Sequence, residues 1–177
     1  MQKYHPLLAA LHWLMALMIL MALAAGGLLL ANMPPDSPDK VQGLAGHMVV
    51  GMAIGVLLIL RLLTRLRSTH PPDAKTGNDL LDRLGRWTHW GFYLLIAGMV
   101  LSGLTTALGL GLFPIVYGGT SETLPPEFAT FAPRVAHGIV SKLLAALIAL
   151  HIAAALYHQF VLKDGLLRRM WFGKRSS

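Results

Sequence analysis

The stretch RVAHGIVSKLLAALIALHIAAALYHQFVL, Arg134 to Leu162, decides the fold of this 177-residue chain. From Val135 onward it is apolar apart from Lys142, three histidines, Ser141 and Gln159, and it exceeds the roughly 20 residues a helix needs to cross a hydrocarbon core about 30 Å thick. Ionisable residues inside such a run are costly, so each is a functional-site candidate whose partner has to be found. His137 and His151 are 14 residues apart. At 100° per residue they return to within about 40° of one face, and at 1.5 Å rise they stand about 21 Å apart along the helix. The segment therefore presents two potential ligands, one above the other. Lys142 falls about 140° round from His137 and is expected to snorkel to the nearer interface.

Working outward, three further windows have the same character, giving spans at about 6–32, 44–66, 87–112 and 135–162. Prolines mark the connections: Pro34, Pro35 and Pro38, then Pro71 and Pro72, then Pro125, Pro126 and Pro133. Hydrophobic residues make up 55% of the chain and charged residues only 13%, with a mean hydropathy of +0.58. Those figures exclude an ordinary water-soluble domain and a disordered chain alike. A cleaved signal peptide would also place Lys3 before an apolar run. The first run is too long for one, however, and its removal would leave three spans with the wrong charge parity. No segment repeats, and the connections leave no room for a second soluble domain, so residues 1–177 read as one membrane domain. The expected fold is an all-α integral membrane protein, a four-transmembrane-helix bundle.

The net charge of +7 and isoelectric point near 10.2 would suit a nucleic-acid partner only if the charges lined a soluble face. They do not. Lys3, Arg61, Arg65, Arg67, Lys75, Arg83, Arg86, Lys163, Arg168, Arg169, Lys174 and Arg175 fall at the two termini and the second connection, while the first and third connections hold only Lys40 and Arg134. By the positive-inside rule both termini are cytoplasmic and no nucleic-acid partner is implied. Asp36, Asp39, Glu122 and Glu127 fall in the outer loops. The absence of cysteine excludes disulfides, iron–sulfur clusters, thiolate zinc sites and thiol catalysis.

Depth pairs the histidines. His47 and His137 both enter from the outer surface, whereas His12 and His151 both lie toward the cytoplasm. Two imidazoles facing each other across a bundle core suit a flat macrocycle with iron between them, and facing helices are where bundles build cofactor sites. Iron with both axial positions filled by histidine has no site open for oxygen chemistry and shuttles electrons instead. Arg61 and Arg65 follow His47 by 14 and 18 residues, on roughly the same face, where guanidinium groups can pair with the two carboxylates of a b-type heme. The plainer reading of both arginines is that they mark the inner end of the span. A lone membrane histidine is often only an interhelical hydrogen-bonding residue, worth about 0.6 kcal/mol, but four paired by depth and face argue against that. Without acidic or thiolate companions they cannot complete a zinc tetrahedron.

His89 begins the third span at the depth of His12, and His158 lies seven residues beyond His151. Either could replace His12 as an axial ligand, donate to a heme propionate or serve a quinone headgroup; the last two roles are preferred, since a histidine at a membrane rim can relay the protons a quinone takes up. Arg134, almost one turn before His137, would meet an anion approaching the outer pair, with Lys40 assisting. His5 and His70 fall at surfaces and are assigned no role. A heme-free transporter using the histidines as a proton relay is the remaining alternative, and it predicts a colourless protein.

Leu11-His12-Trp13, Gly46-His47-Met48 followed by Arg61-Leu62-Leu63-Thr64-Arg65, Ala136-His137-Gly138 with His151 beyond, and the tail Lys163-Asp164-Gly165-Leu166-Leu167-Arg168-Arg169-Met170 resemble the bacterial cytochrome b561 family over nearly the whole chain. The resemblance implies a multi-pass protein of the bacterial inner membrane holding two b hemes, with His12 and His151 binding the cytoplasmic one and His47 and His137 the periplasmic one. It implies either of two activities. One is a superoxide oxidase, passing electrons from periplasmic superoxide to ubiquinone. The other is a heme-bearing anchor that carries electrons from a redox partner protein, a hydrogenase or dehydrogenase, to quinone.

Overall fold

A computed structural model describes residues 3–69, 71–72, 75–118 and 123–171. His70, Glu122, Lys174 and Arg175 lie outside them. Four long helices dominate: α1 (Pro6–Ala24), α2 (Pro38–Arg67), α3 (Asp79–Gly109) and α5 (Ala132–Tyr157), with short helices α4 (Leu112–Tyr117) and α6 (Leu166–Arg169). With the turns that extend two of them, all four are long and apolar enough to cross a membrane.

The ends follow local chemistry. Pro6 opens α1, where the His5 ring accepts a hydrogen bond from the Leu7 amide, so His5 serves as a cap. Asn78 caps α3 by accepting from the Leu80 and Leu81 amides, and Thr76 donates to Asp82 through both its amide and its hydroxyl. Gly111, in the left-handed region at φ 59°, separates α3 from α4. A π turn over Ala25–Leu29 and a 3-10 turn over Leu30–Asn32 carry α1 onward, and a π turn over His158–Leu162 does the same for α5. Within the apolar spans, serine and threonine hydroxyls donate to their own helix: Thr64 to Leu60, Ser102 to Gly98 and Thr105 to Leu101.

Two of the helices outrun the expected spans. α2 begins at Pro38, not near residue 44, and α3 at Asp79, not near 87, because the backbone ladder continues through polar turns that a hydropathy window discards. At its other end α3 stops at Gly109, short of 112, where Gly111 breaks the helix.

α1 packs on α2, α2 on α3 and α3 on α5, whereas neither α1 nor α2 packs extensively against α5. Small residues permit the close contacts. A Cβ on Gly55 would meet the Val100 side chain at 3.0 Å, and Cβ atoms on Gly91 and Gly98 would meet Leu147 and Val140 of α5 at 3.4 and 3.7 Å. Met15, Ile19, Ile54, Ile96 and Leu144 form the central core, and Leu112 of α4 joins Ala107 and Leu124 in a second cluster at one end. The outer surface is apolar: Leu94 is 74% exposed, and Leu101, Ile59 and Leu150 are similarly bare, as lipid-facing residues are. At the opposite end from α4, the Tyr4 amide donates to the Arg169 carbonyl, the Trp13 indole to the Met170 carbonyl and the Arg169 guanidinium to the Pro72 carbonyl. Both chain ends and the α2–α3 connection thus meet on one side of the bundle, as four crossings require.

Candidate cofactor-binding site

α5 runs as a continuous α-helix through both His137 and His151, so their separation along the axis stands at about 21 Å. Each faces a histidine on another helix. His47 of α2 and His137 have ring centres 6.1 Å apart with planes crossed at 76°, and His12 of α1 and His151 have centres 6.3 Å apart at 70°. Imidazole nitrogens bind first-row metals at about 2 Å, and each stands about 1 Å from its ring centre, so two imidazoles on opposite faces of one metal have centres about 6 Å apart. Both pairs have that separation. Among the described residues no group of three or more His, Asp or Glu side chains is disposed to hold a bare metal ion. The donor set is suited to a metal that brings its own equatorial ligands.

Around the His47–His137 pair the fit to a macrocycle can be tested further. The His137 Nδ1 lies 3.0 Å from the Met99 carbonyl and 3.1 Å from the Ser102 hydroxyl. A carbonyl only accepts, so Nδ1 carries the proton and Nε2 is left with the lone pair a metal needs. His47 Nδ1 is buried with no hydrogen-bond partner. Glycines flank both rings: a Cβ on Gly26 would approach His47 to 3.1 Å and one on Gly103 would approach His137 to 3.2 Å. Ile54, Ile96 and Leu144 line a narrow cavity between the two rings and the bundle centre. The glycines make room for the two imidazoles, and the apolar lining between them, with the lone pair left on His137 Nε2, fits a flat metal-bearing group.

At the other pair His151 has two neighbours, because His89 of α3 also lies with its ring centre 6.2 Å away and Phe92 meets it edge-on at 5.2 Å. Ring distance does not choose between His12 and His89. α3 lies directly against α5 through Gly91 and Gly98, whereas α1 does not pack extensively against α5. Arg61 donates from Nη1 to the Leu8 carbonyl at 2.7 Å, which ties α2 to the start of α1 and sets the guanidinium near enough to act on both His12 and His151. Arg65 stands one turn further along α2, half-buried. The buried Tyr93 hydroxyl lies beside Arg61 without a hydrogen bond of good geometry. Tyr93 and Ser102 escaped the sequence reading, because a lone hydroxyl in an apolar span carries no spacing signal.

Arg134 sits half-buried at the start of α5, with its guanidinium 5.7 Å over the Phe128 ring and near enough to act on His47 and His137. Lys40 is committed elsewhere, donating to the Met33 carbonyl at 2.9 Å. Lys142 is exposed. His158 is only 8% exposed, and its Nδ1 lies 2.5 Å from Asp164 Oδ2, with the Tyr157 ring edge-on. Burial opposes the ionised form of Asp164, but hydrogen bonds from His158 and the Leu166 amide, with the nearby Arg169 charge, outweigh it and hold the carboxyl below the usual carboxylate range. Asp164 was legible only as the lone acid of a basic tail.

Residues 3–173 match the profile of prokaryotic cytochrome b561. The chain is 30% identical over 180 residues to the Yersinia pestis protein named "Probable superoxide oxidase CybB", with 99% of both chains covered. It is 28% identical to "Cytochrome b561 homolog 2" of Escherichia coli (strain K12), covering 99% of this chain and 94% of the relative. The family implies a b-type heme, a bilayer setting and oxidoreductase chemistry with a redox partner. This chain, with four helices long and apolar enough to cross a membrane, belongs to the prokaryotic cytochrome b561 family.

Proposed function

We propose that the protein binds two b hemes and passes electrons across the bacterial inner membrane from periplasmic superoxide to ubiquinone. The observation that carries this is the pair of facing histidines repeated at two levels of α5, with ring centres 6.1 and 6.3 Å apart. Bis-histidine hemes supply one-electron redox steps with no open coordination site. The overall reaction balances as two superoxide anions, one quinone and two protons giving two dioxygen molecules and one quinol.

The chain's own residues divide the remaining work. His47 and His137 would hold one heme, with Met99 and Ser102 fixing the His137 tautomer, and His12 and His151 the other. Arg61, held beside His12 and His151 by the Leu8 carbonyl, and Arg65 beyond it would offer positive charge to the carboxylates of that heme. His89, beside His151, is suited to donating to a propionate or a quinone. With both termini cytoplasmic, Arg134 stands at the periplasmic end and draws a small anion toward the His47–His137 pair. His158, at the end where the chain termini meet, serves as the proton donor to quinone. The name of the Yersinia relative supports superoxide as the donor.

The test is the purified chain alone, given enzymatically generated superoxide and a short-chain ubiquinone. Quinol formation with release of dioxygen, at a rate that rises with the amount of protein, is the expected result. A heme-loaded protein that is inert to superoxide and co-purifies in fixed ratio with an iron–sulfur dehydrogenase or hydrogenase would replace this reading with the anchor-subunit one.

A further inference from the structure

Asp164 is the single acidic residue after Glu127, set among Lys163, Arg168 and Arg169. The backbone goes out of its way to place it. α5 ends in the π turn His158–Leu162, Lys163 then adopts φ 53°, and Gly165 follows at φ 69°. Lys163 is the one non-glycine residue at positive φ among those described, a conformation that costs about 1 kcal/mol or more and persists only where its surroundings hold it. The result is a reversal that folds the carboxylate back under its own helix onto a histidine six residues earlier. One oxygen, Oδ2, meets His158 Nδ1, while the other, Oδ1, accepts from the Leu166 amide at 2.9 Å.

We propose that Asp164 is a positioning residue for His158, holding the proton on Nδ1 so that Nε2 is the nitrogen that exchanges protons with the quinone. The proposal rests on the reading of His158 as proton donor given above. Asp164 also lines an open cleft of about 420 Å³ with Gln159, Phe160, Lys163, Gly165 and Arg168. Its side chain is 27% exposed against 10% for His158, so water reaches the pair from the carboxylate side. Among the described residues, the charged and titratable groups around the pair are Lys163 and Arg168 at the cleft, Arg169 of α6 acting on Asp164, and Tyr157 against the His158 ring.

Quinone reduction consumes two electrons, here from two superoxide anions, and two protons. In each transfer a proton passes from His158 Nε2 to a quinone oxygen, while Nδ1 keeps its proton on Asp164. The ring regains a proton from solvent before the second transfer. A carboxylate in this place accepts from Nδ1–H and so fixes the ring's orientation, as orienting carboxylates do beside catalytic histidines.

Asp164→Asn tests the assignment because the asparagine oxygen can keep the Leu166 amide while its NH₂ then opposes Nδ1, which drives His158 to the Nε2–H tautomer. In the heme-loaded protein, Asp164→Asn is expected to slow re-oxidation by a short-chain ubiquinone at least about tenfold, with KM for quinone and the rate of reduction by superoxide little changed. Asp164→Glu should recover part of the rate. Nitrogen-15 NMR of the histidine rings should show one ring exchanging its Nδ1–H signature for Nε2–H in Asp164→Asn. His158→Gln separates the two layers. A slow His158→Gln with a wild-type Asp164→Asn would overturn the positioning role and leave the donor role standing; a wild-type His158→Gln would overturn both.

Discussion

The Nδ1 of His137 on α5 donates to the backbone carbonyl of Met99 on α3, across a contact of 3.0 Å. That hydrogen bond locks the ring tautomer and orientation before any metal arrives. α3 packs directly on α5, so the rigid helix pair that supplies the carbonyl also fixes the ligand. His151 is held differently, by Phe92 and His89 edge-on.

Gly103 should prove as necessary to the His47–His137 level as the histidines themselves. A valine there would drive carbon into the His137 ring, which already lies 3.2 Å from a bare Cβ position. Gly103→Val is expected to lose about one heme per chain while the His12–His151 level stays loaded, read by heme quantification against protein. Retention of both hemes would mean that the glycine is not part of a cradle.

Arg134 should act through its charge. At low ionic strength Arg134→Glu is expected to lower the rate of reduction by superoxide by about tenfold or more, since steering of this kind is worth roughly 10- to 1,000-fold. The rate should also stop falling with added salt. An unchanged rate and salt dependence would remove the steering role.

Arg61 links two helices as well as two charges. Arg61→Leu leaves the Leu8 carbonyl without its 2.7 Å donor, and thermal unfolding should show a loss of about 1–3 kcal/mol. With positive charge gone from beside His12 and His151, the midpoint potential of the heme at that level should fall, which a spectroscopic redox titration would read.

The Asp164 turn should be acid-sensitive, with a sign fixed by its ionisation. Its carboxyl is held below the usual range in the folded chain, so the stabilisation is present above the ordinary aspartate pKa and is lost as pH falls through the folded value. Hydrogen exchange at the Leu166 amide should therefore quicken relative to core amides on acidification, and Asp164→Asn should abolish that pH dependence. A Leu166 amide that behaves alike at neutral and acid pH in both proteins would contradict the turn described here.

Much of this architecture is legible in the sequence because a bilayer writes plainly. Apolar length gave the four spans, and the 14-residue interval from His137 to His151 placed two histidines on one face of what is one continuous helix. Depth matched each with a histidine that the fold brings to it, although His89 comes as close to His151 as His12 does. Helix ends were less visible, since α2 and α3 run on through polar turns that only caps such as Asn78 and breakers such as Gly111 delimit. Neither spacing nor ring distance separates His12 from His89 as the partner of His151. Gly26, Gly103, Tyr93 and Ser102 were hidden because their roles exist only across helices, and Asp164 because a left-handed lysine is not written in any spacing.

The most direct test is the heme content and reduced-minus-oxidised visible spectrum of the purified protein and of its His12, His47, His137 and His151 alanine variants, with His89→Ala beside them. Two b hemes per chain are expected, with His47→Ala and His137→Ala each losing the same one, His12→Ala and His151→Ala each losing the other, and His89→Ala keeping both. A colourless protein, or a single heme indifferent to His47 and His137, would contradict electron transfer through two stacked bis-histidine sites.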